Sequence, residues 1–313
     1  MKNLLQRLAN LPVGVVATAV GAATLSNVYL ALGFTWIRHL TMGIGFLVLI
    51  AMLYKIIRHF QTFKTEYTTV VPSSLYATVT MLTMILGSYV FDFNAGIGRL
   101  MWFIGVFAHM THILVFTYRN VVRGVKIETF IPSWFVTYNG LLVSAVIGGA
   151  MNANLLLQGI VWYGIAVFLI IIPFMIYRLI KKPLPTPLYP TLAILLAPSS
   201  LCLVGYINVM PTKNPAIIFG LYGIILVTLL VILVNIPRFF KQAFHPGFAA
   251  LTFPMAIGIV ASTKMTGYLT QLELPQLASI SNNVAGIQIV LTTAIIAFVA
   301  YSFSKLITPK TAE

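Results

Sequence analysis

The sequence predicts an all-α integral membrane protein: ten transmembrane helices arranged as five helical hairpins in quasi-fivefold symmetry, with the odd-numbered helices forming an inner ring around a central pore. Three observations predict it. First, 59% of the 313 residues are hydrophobic and 8% charged, with mean hydropathy +0.98, whereas a soluble domain carries about a quarter charged residues. Second, apolar runs near the ~20 residues needed to cross a bilayer recur ten times. Third, a proline precedes every second run, at Pro12, Pro72, Pro132, Pro190 and Pro246, with spacings of 60, 60, 58 and 56 residues. A near-constant period marks an internal repeat. Proline is tolerated at a first helical turn because that N–H has no intrahelical partner.

The expected spans are 12–32, 36–57, 72–91, 97–118, 132–151, 155–177, 190–209, 215–236, 247–269 and 283–304. Residues 1–313 are read as one membrane domain with hairpin repeats at 12–57, 72–118, 132–177, 190–236 and 247–304. The first span follows a basic start that resembles a signal peptide. Its apolar run reaches Leu32, long enough to span, and is taken as a retained helix. Odd spans are rich in small and hydroxyl residues, as in AVGAATLS (19–26), SAVIGGA (144–150) and AIGIVAST (256–263). Even spans are bulkier, as in FLVLIAMLY (46–54) and GIILVTLLVILV (223–234). Small residues let backbones crowd and bulk suits lipid, which sorts odd spans inward and even spans outward. Pro198 and Pro254 lie within inner spans, where irregular backbone is tolerable if it lines a cavity.

The formal charge of +14 does not point to nucleic acid, because the basic residues sit in short connectors. Connectors after even spans carry Lys55, Arg58, Lys64, Arg119, Arg123, Lys126, Arg178, Lys181, Lys182, Arg238 and Lys241; the termini add Lys2, Arg7, Lys305 and Lys310. The opposite connectors hold only Arg38, Arg99 and Lys213. Fifteen against three places both termini in the cytoplasm, with the protein in the inner or plasma membrane. Cys202 is the only cysteine, so no internal disulfide forms.

The stretch His245 to Met265 concentrates the functional signal. It is long enough to span and small-faced, with one large ring, Phe253, directly before Pro254. Proline frees a carbonyl one turn back and bends the helix, which suits the wall of a narrow conduit with Phe253 as its plug. The alternative is a packing phenylalanine beside a tolerated proline, and the residues alone leave both open.

Several segments resemble the TehA-like family of tellurite-resistance and dicarboxylate transporters, which includes the plant guard-cell slow anion channels. The resemblance rests on Leu11-Pro12-x-Gly14 with Gly21-Ala22-Ala23-x-Leu25-Ser26, on Leu196-Ala197-Pro198, and on Thr252-Phe253-Pro254-Met255, and it covers all ten spans in order. It implies five hairpins around a pore, passage of small inorganic or organic anions, no cofactor and a homotrimeric assembly. It also implies that Phe253 occludes the pore.

The acids fit anion passage. Glu66, Asp92, Glu128, Glu273 and Glu313 all lie at span ends, in connectors or at the terminus. A cation channel or a proton-coupled pump would place carboxylates inside. Lys264 is the one strong charge well inside an inner span, and is expected to attract anions near the outer mouth or else to snorkel or pair with Glu273. Gly14, Gly21, Pro198 and Tyr138 are candidate pore-lining residues. His109 and His112 share a helix face without the further ligands a metal site needs, and are read as helix–helix hydrogen-bonding groups. No catalytic or metal site is expected. The function read from the sequence is an anion channel gated by a phenylalanine. Its alternatives are a secondary carrier for C4-dicarboxylates or sulfite and a tellurite or drug exporter.

Overall fold

Proline placement decides where the inner helices start. In a computed structural model, which describes residues 8–307, the chain is helical throughout, with no strand among the described residues. Lys2, Arg7, Lys310 and Glu313 lie outside them. The first repeat pairs α1 (Gly14–Ala31) with α2 (Thr35–Arg58). A short polar helix, α3 (Phe60–Thr68), leads to α4 (Val70–Leu75) and α5 (Ala77–Phe91), which pack with α6 (Ala95–Thr117). The third repeat begins with α7 (Trp134–Tyr138) and α8 (Val143–Ile147), followed by α9 (Asn154–Lys181). A 3-10 segment, Thr186–Leu195, precedes α10 (Leu196–Val209) and its partner α11 (Pro215–Phe239). A second, Pro246–Leu251, precedes α12 (Thr252–Gln271), which pairs with α13 (Pro275–Ile307).

Nine helical stretches among the described residues are long and apolar enough to cross a membrane. The chain is a multi-pass membrane protein. The fifth expected span differs in form: the apolar stretch Trp134–Ile147 is shorter and interrupted by a 3-10 turn at Gly140–Leu142. Two further corrections concern the ends. α13 starts at Pro275 rather than near 283, because its polar first turns are helix-compatible and only their low hydropathy hid them. The expected bend inside a continuous ninth span is instead a junction between 3-10 and α geometry at Leu251–Thr252.

The two members of each repeat are buried differently. In the most apolar window of the first, third, seventh and ninth spans, 56% to 78% of residues are buried, against 28% to 33% in the second, fourth, sixth, eighth and tenth. Leu47, Ile170, Leu230 and Val290 illustrate the exposed aliphatic faces of the second group, a surface that lipid covers at no polar cost. Together with the short α8 of the third repeat, the first group closes a circuit: α1 packs against α5, α5 against α8, α8 against α10, α10 against α12, and α12 back against α1. Within the second hairpin, glycines bring α5 and α6 close: a Cβ on Gly87 would fall 2.7 Å from the Trp102 backbone nitrogen, and one on Gly98 only 2.4 Å from the Phe91 Cα.

One basic residue is not where its connector position put it. Lys55 is fully buried, its ammonium donating to Glu66 at 2.6 and 2.8 Å and to the Leu11 carbonyl at 2.8 Å. The Tyr76 hydroxyl completes the cluster by donating to Glu66 at 2.5 Å. This buried ion pair ties α2, α3, the entry to α1 and the α4–α5 break into one corner. We call the side carrying it the basic end, and the opposite side the far end.

Candidate functional site

Two cavities lie within the circuit of inner segments, one on each side of Phe253. The cavity toward the basic end is small, about 30 Å³, and drawn from all five inner segments, with Ala17, Leu75, Phe135, Ala197 and Ala250 among its walls. Its lining is apolar apart from Thr78, whose hydroxyl is already donated to the Leu75 carbonyl at 2.7 Å. The cavity toward the far end is larger, about 230 Å³, and more polar, with Thr24, Asn27, Arg38 and Ser88 in its walls. Phe253 is the one residue that lines both. Its side chain is buried, with 8% of its surface exposed.

Local sequence explains how Phe253 is held. Pro254 has no N–H to donate, and its ring excludes an α-helical carbonyl four residues back, at Ala250. The α-helix therefore begins two residues before the proline, and the preceding turn tightens into 3-10 geometry. Pro198 does the same two residues into α10, after the 3-10 segment ending at Leu195. Thr252 anchors the junction, its hydroxyl 2.7 Å from the Ala249 carbonyl and 3.3 Å from that of Ala17. α1 comes against this junction at Gly21, where a Cβ would fall 2.7 Å from Thr252 Cβ and 2.8 Å from the Phe253 nitrogen.

The remaining residues singled out in the sequence take other places. Gly14 and Gly21 are buried contact points of α1, Gly14 against the Pro246 carbonyl, and neither lines the two cavities. Pro198 and Tyr138 are also buried outside those walls; the Tyr138 hydroxyl lies 3.0 Å from that of Thr117 and its ring packs edge-on against Phe116. Lys264 faces outward, into a separate pocket with Lys213, and no ion pair joins it to Glu273 among the described residues. His109 bridges helices, its Nδ1 2.7 Å from the Thr80 hydroxyl and its Nε2 donating to the Thr137 carbonyl at 2.9 Å. His112 lies 2.8 Å from the Tyr67 hydroxyl and 3.2 Å from that of Thr137.

Sequence reasoning missed Arg38, which it counted only as a connector charge. Among the residues lining the two cavities Arg38 alone is charged. Its Nε donates to Asn27 Oδ1 at 2.9 Å, one Nη donates to Asp92 at 2.8 Å, and its guanidinium lies over the Tyr89 ring at 5.0 Å. The available signal was its position at the start of a span, one short loop after Asn27.

Residues 10–307 match the family described as voltage-dependent anion channel, SLAC1. The chain belongs to this family. The match runs through all the inner segments and both cavities, and places the chain among channels and transporters of anions rather than among enzymes. No curated protein matches it. For a voltage-dependent anion channel family member, the walls have the right sign: no carboxylate lines either cavity, and Asp92 is turned to Arg38 from outside the lining. The Thr24 and Ser88 hydroxyls of the far-end cavity are already donated to the Val20 and Ile147 carbonyls at 2.9 and 3.4 Å, which leaves Asn27 and Arg38 as its polar donors.

Proposed function

We propose that the protein is an anion channel whose ten spans form five hairpins in quasi-fivefold arrangement, and that Phe253 is its gate. The observation that carries this reading is that Phe253 alone borders both axial cavities. An anion enters the far-end vestibule past Arg38, meets the Phe253 ring, and passes toward the basic end only when the ring swings aside. The basic end is the cytoplasmic one, following the excess of Lys and Arg in its connectors. Conduction needs weak binding, and a single fixed cation shared with Asp92 supplies attraction without a trap.

Removing the ring tests the gate. A sealed core phenylalanine costs about 3–5 kcal/mol on truncation to alanine, through lost burial and an unfilled cavity. A ring standing between two cavities leaves no sealed void, since its truncation joins them. Phe253→Ala in a planar bilayer under a chloride gradient is expected to raise current strongly, reversing near the chloride equilibrium potential, with thermal stability in detergent close to wild type. A stable, silent alanine variant that instead shows substrate-coupled proton uptake would establish a carrier for dicarboxylates or sulfite.

A further inference from the structure

A second site for anions lies off the axis. Between α10, the connector after it and α12, a pocket of about 370 Å³ opens at the far end, lined by Asn208, Lys213, Lys264, Gly267 and Gln271 among others. Lys264, Gly267 and Gln271 follow one face of α12 at spacings of three and four residues. Gly267 leaves that face bare: a Cβ there would meet nothing within 4 Å. The space between a lysine and a glutamine on one helix is thus kept open, with a second lysine reaching in from the connector.

Among the described residues neither lysine has a partner. The ion pairs among the described residues are Arg38–Asp92, Lys55–Glu66 and Lys182–Glu128, and no hydrogen bond engages Lys213 or Lys264. Two cations in one pocket repel each other, and an ionisable side chain within a membrane span is costly unless it is paired or reaches an interface. Lys264 lies seven residues before the end of α12, at Gln271, or about 10 Å at 1.5 Å per residue. Extended toward the end of the helix, its side chain reaches the polar interfacial layer that borders the ~30 Å hydrocarbon core, where lipid phosphates sit.

We infer that Lys213 and Lys264 form a binding site for a phosphate-class oxyanion, with the Asn208 and Gln271 amides at its edge and the bare Gly267 face as its floor. The same chemistry is offered by the phosphodiester of an anionic lipid in the far leaflet and by free phosphate. The pocket is separate from the conduit, sharing no lining residue with either axial cavity, and its occupancy is read without any current, so it stands or falls independently of the gate.

The test is thermal melting of the purified full chain. In a non-ionic detergent, inorganic phosphate is titrated against chloride at matched ionic strength; in parallel, nanodiscs of phosphatidylcholine are compared with nanodiscs containing phosphatidylglycerol. A saturable rise in Tm with phosphate identifies the free oxyanion as ligand, and a rise with phosphatidylglycerol alone identifies the lipid. In either case the rise is expected to vanish in the Lys213→Gln/Lys264→Gln double variant. It should also vanish in Gly267→Leu, which keeps both charges and fills the floor. No rise with either ligand in the wild type, or a rise that persists in both variants, overturns the site.

Discussion

Arg38 has one side chain's worth of charge at the vestibule, and its fixed geometry makes the consequence testable. Asn27 and Asp92 hold the guanidinium at 2.9 and 2.8 Å, so it acts as a placed charge rather than a mobile one. Arg38→Gln is expected to lower the ratio of chloride to potassium permeability several-fold at low salt, read from the reversal potential of the Phe253→Ala background. The effect should shrink as salt rises, because the Debye length falls from about 10 Å at 0.1 M to about 3 Å at 1 M. Asp92→Asn should act in the opposite direction, releasing the cation from its partner. Reversal potentials unmoved by both substitutions would remove Arg38 from the conduction path. The sequence held this residue in plain view, but a charge in a short connector is indistinguishable from a topological one until the fold turns it toward a cavity.

At the scale of elements, the breaks marked by proline were legible and the unmarked one was not. Pro254 and Pro198 marked irregular backbone, and the Pro254 junction holds the ring that borders both cavities. The break in the third repeat had no such marker. Asn139 and Gly140 are unremarkable in an apolar run, and the break depends on tertiary packing, with His109 Cε1 2.8 Å from where a Gly140 Cβ would sit. Gly21 gives a sharper test of the same packing. Adding a side chain there pushes α1 off the Thr252–Phe253 backbone, and backbone cannot give way as a flexible side chain does. Gly21→Val is expected to destabilise by about 1–3 kcal/mol, the usual cost of overpacking, and to leave current through the Phe253→Ala background reduced. Lys55 is the complementary case on the basic end. With Lys55→Met, Glu66 loses its ammonium and keeps only the Tyr76 hydroxyl, the Leu11 carbonyl loses its donor, and breaking a buried pair costs about 3–5 kcal/mol, discounted here because Glu66 is 30% exposed. A clear fall in Tm with chloride selectivity unchanged would mark the corner as structural; an unchanged Tm would show that the cluster contributes nothing net.

For the whole molecule the decisive quantity is orientation, since it fixes which cavity an anion meets first. The positive-inside count treated Lys55 as a solvated connector charge, yet it is buried in an ion pair; taking it out leaves fourteen against three. The asymmetry survives, so the direction of insertion does not depend on that residue. Cysteine chemistry tests it directly, because the single native thiol, Cys202, is fully buried and should be silent to a membrane-impermeant maleimide in folded protein. Phe93→Cys places a thiol in the exposed far-end connector between α5 and α6, and Lys126→Cys places one in the exposed basic-end connector before α7. In intact cells or spheroplasts, Phe93→Cys is expected to label at once and Lys126→Cys only after permeabilisation. The far-end cavity with Arg38 then faces the outside, and under the proposed gate an anion reaches the cytoplasm only when the Phe253 ring swings aside. The reverse labelling pattern would invert the molecule, put the apolar cavity at the outer mouth, and make Arg38 the first charge met by anions leaving the cell.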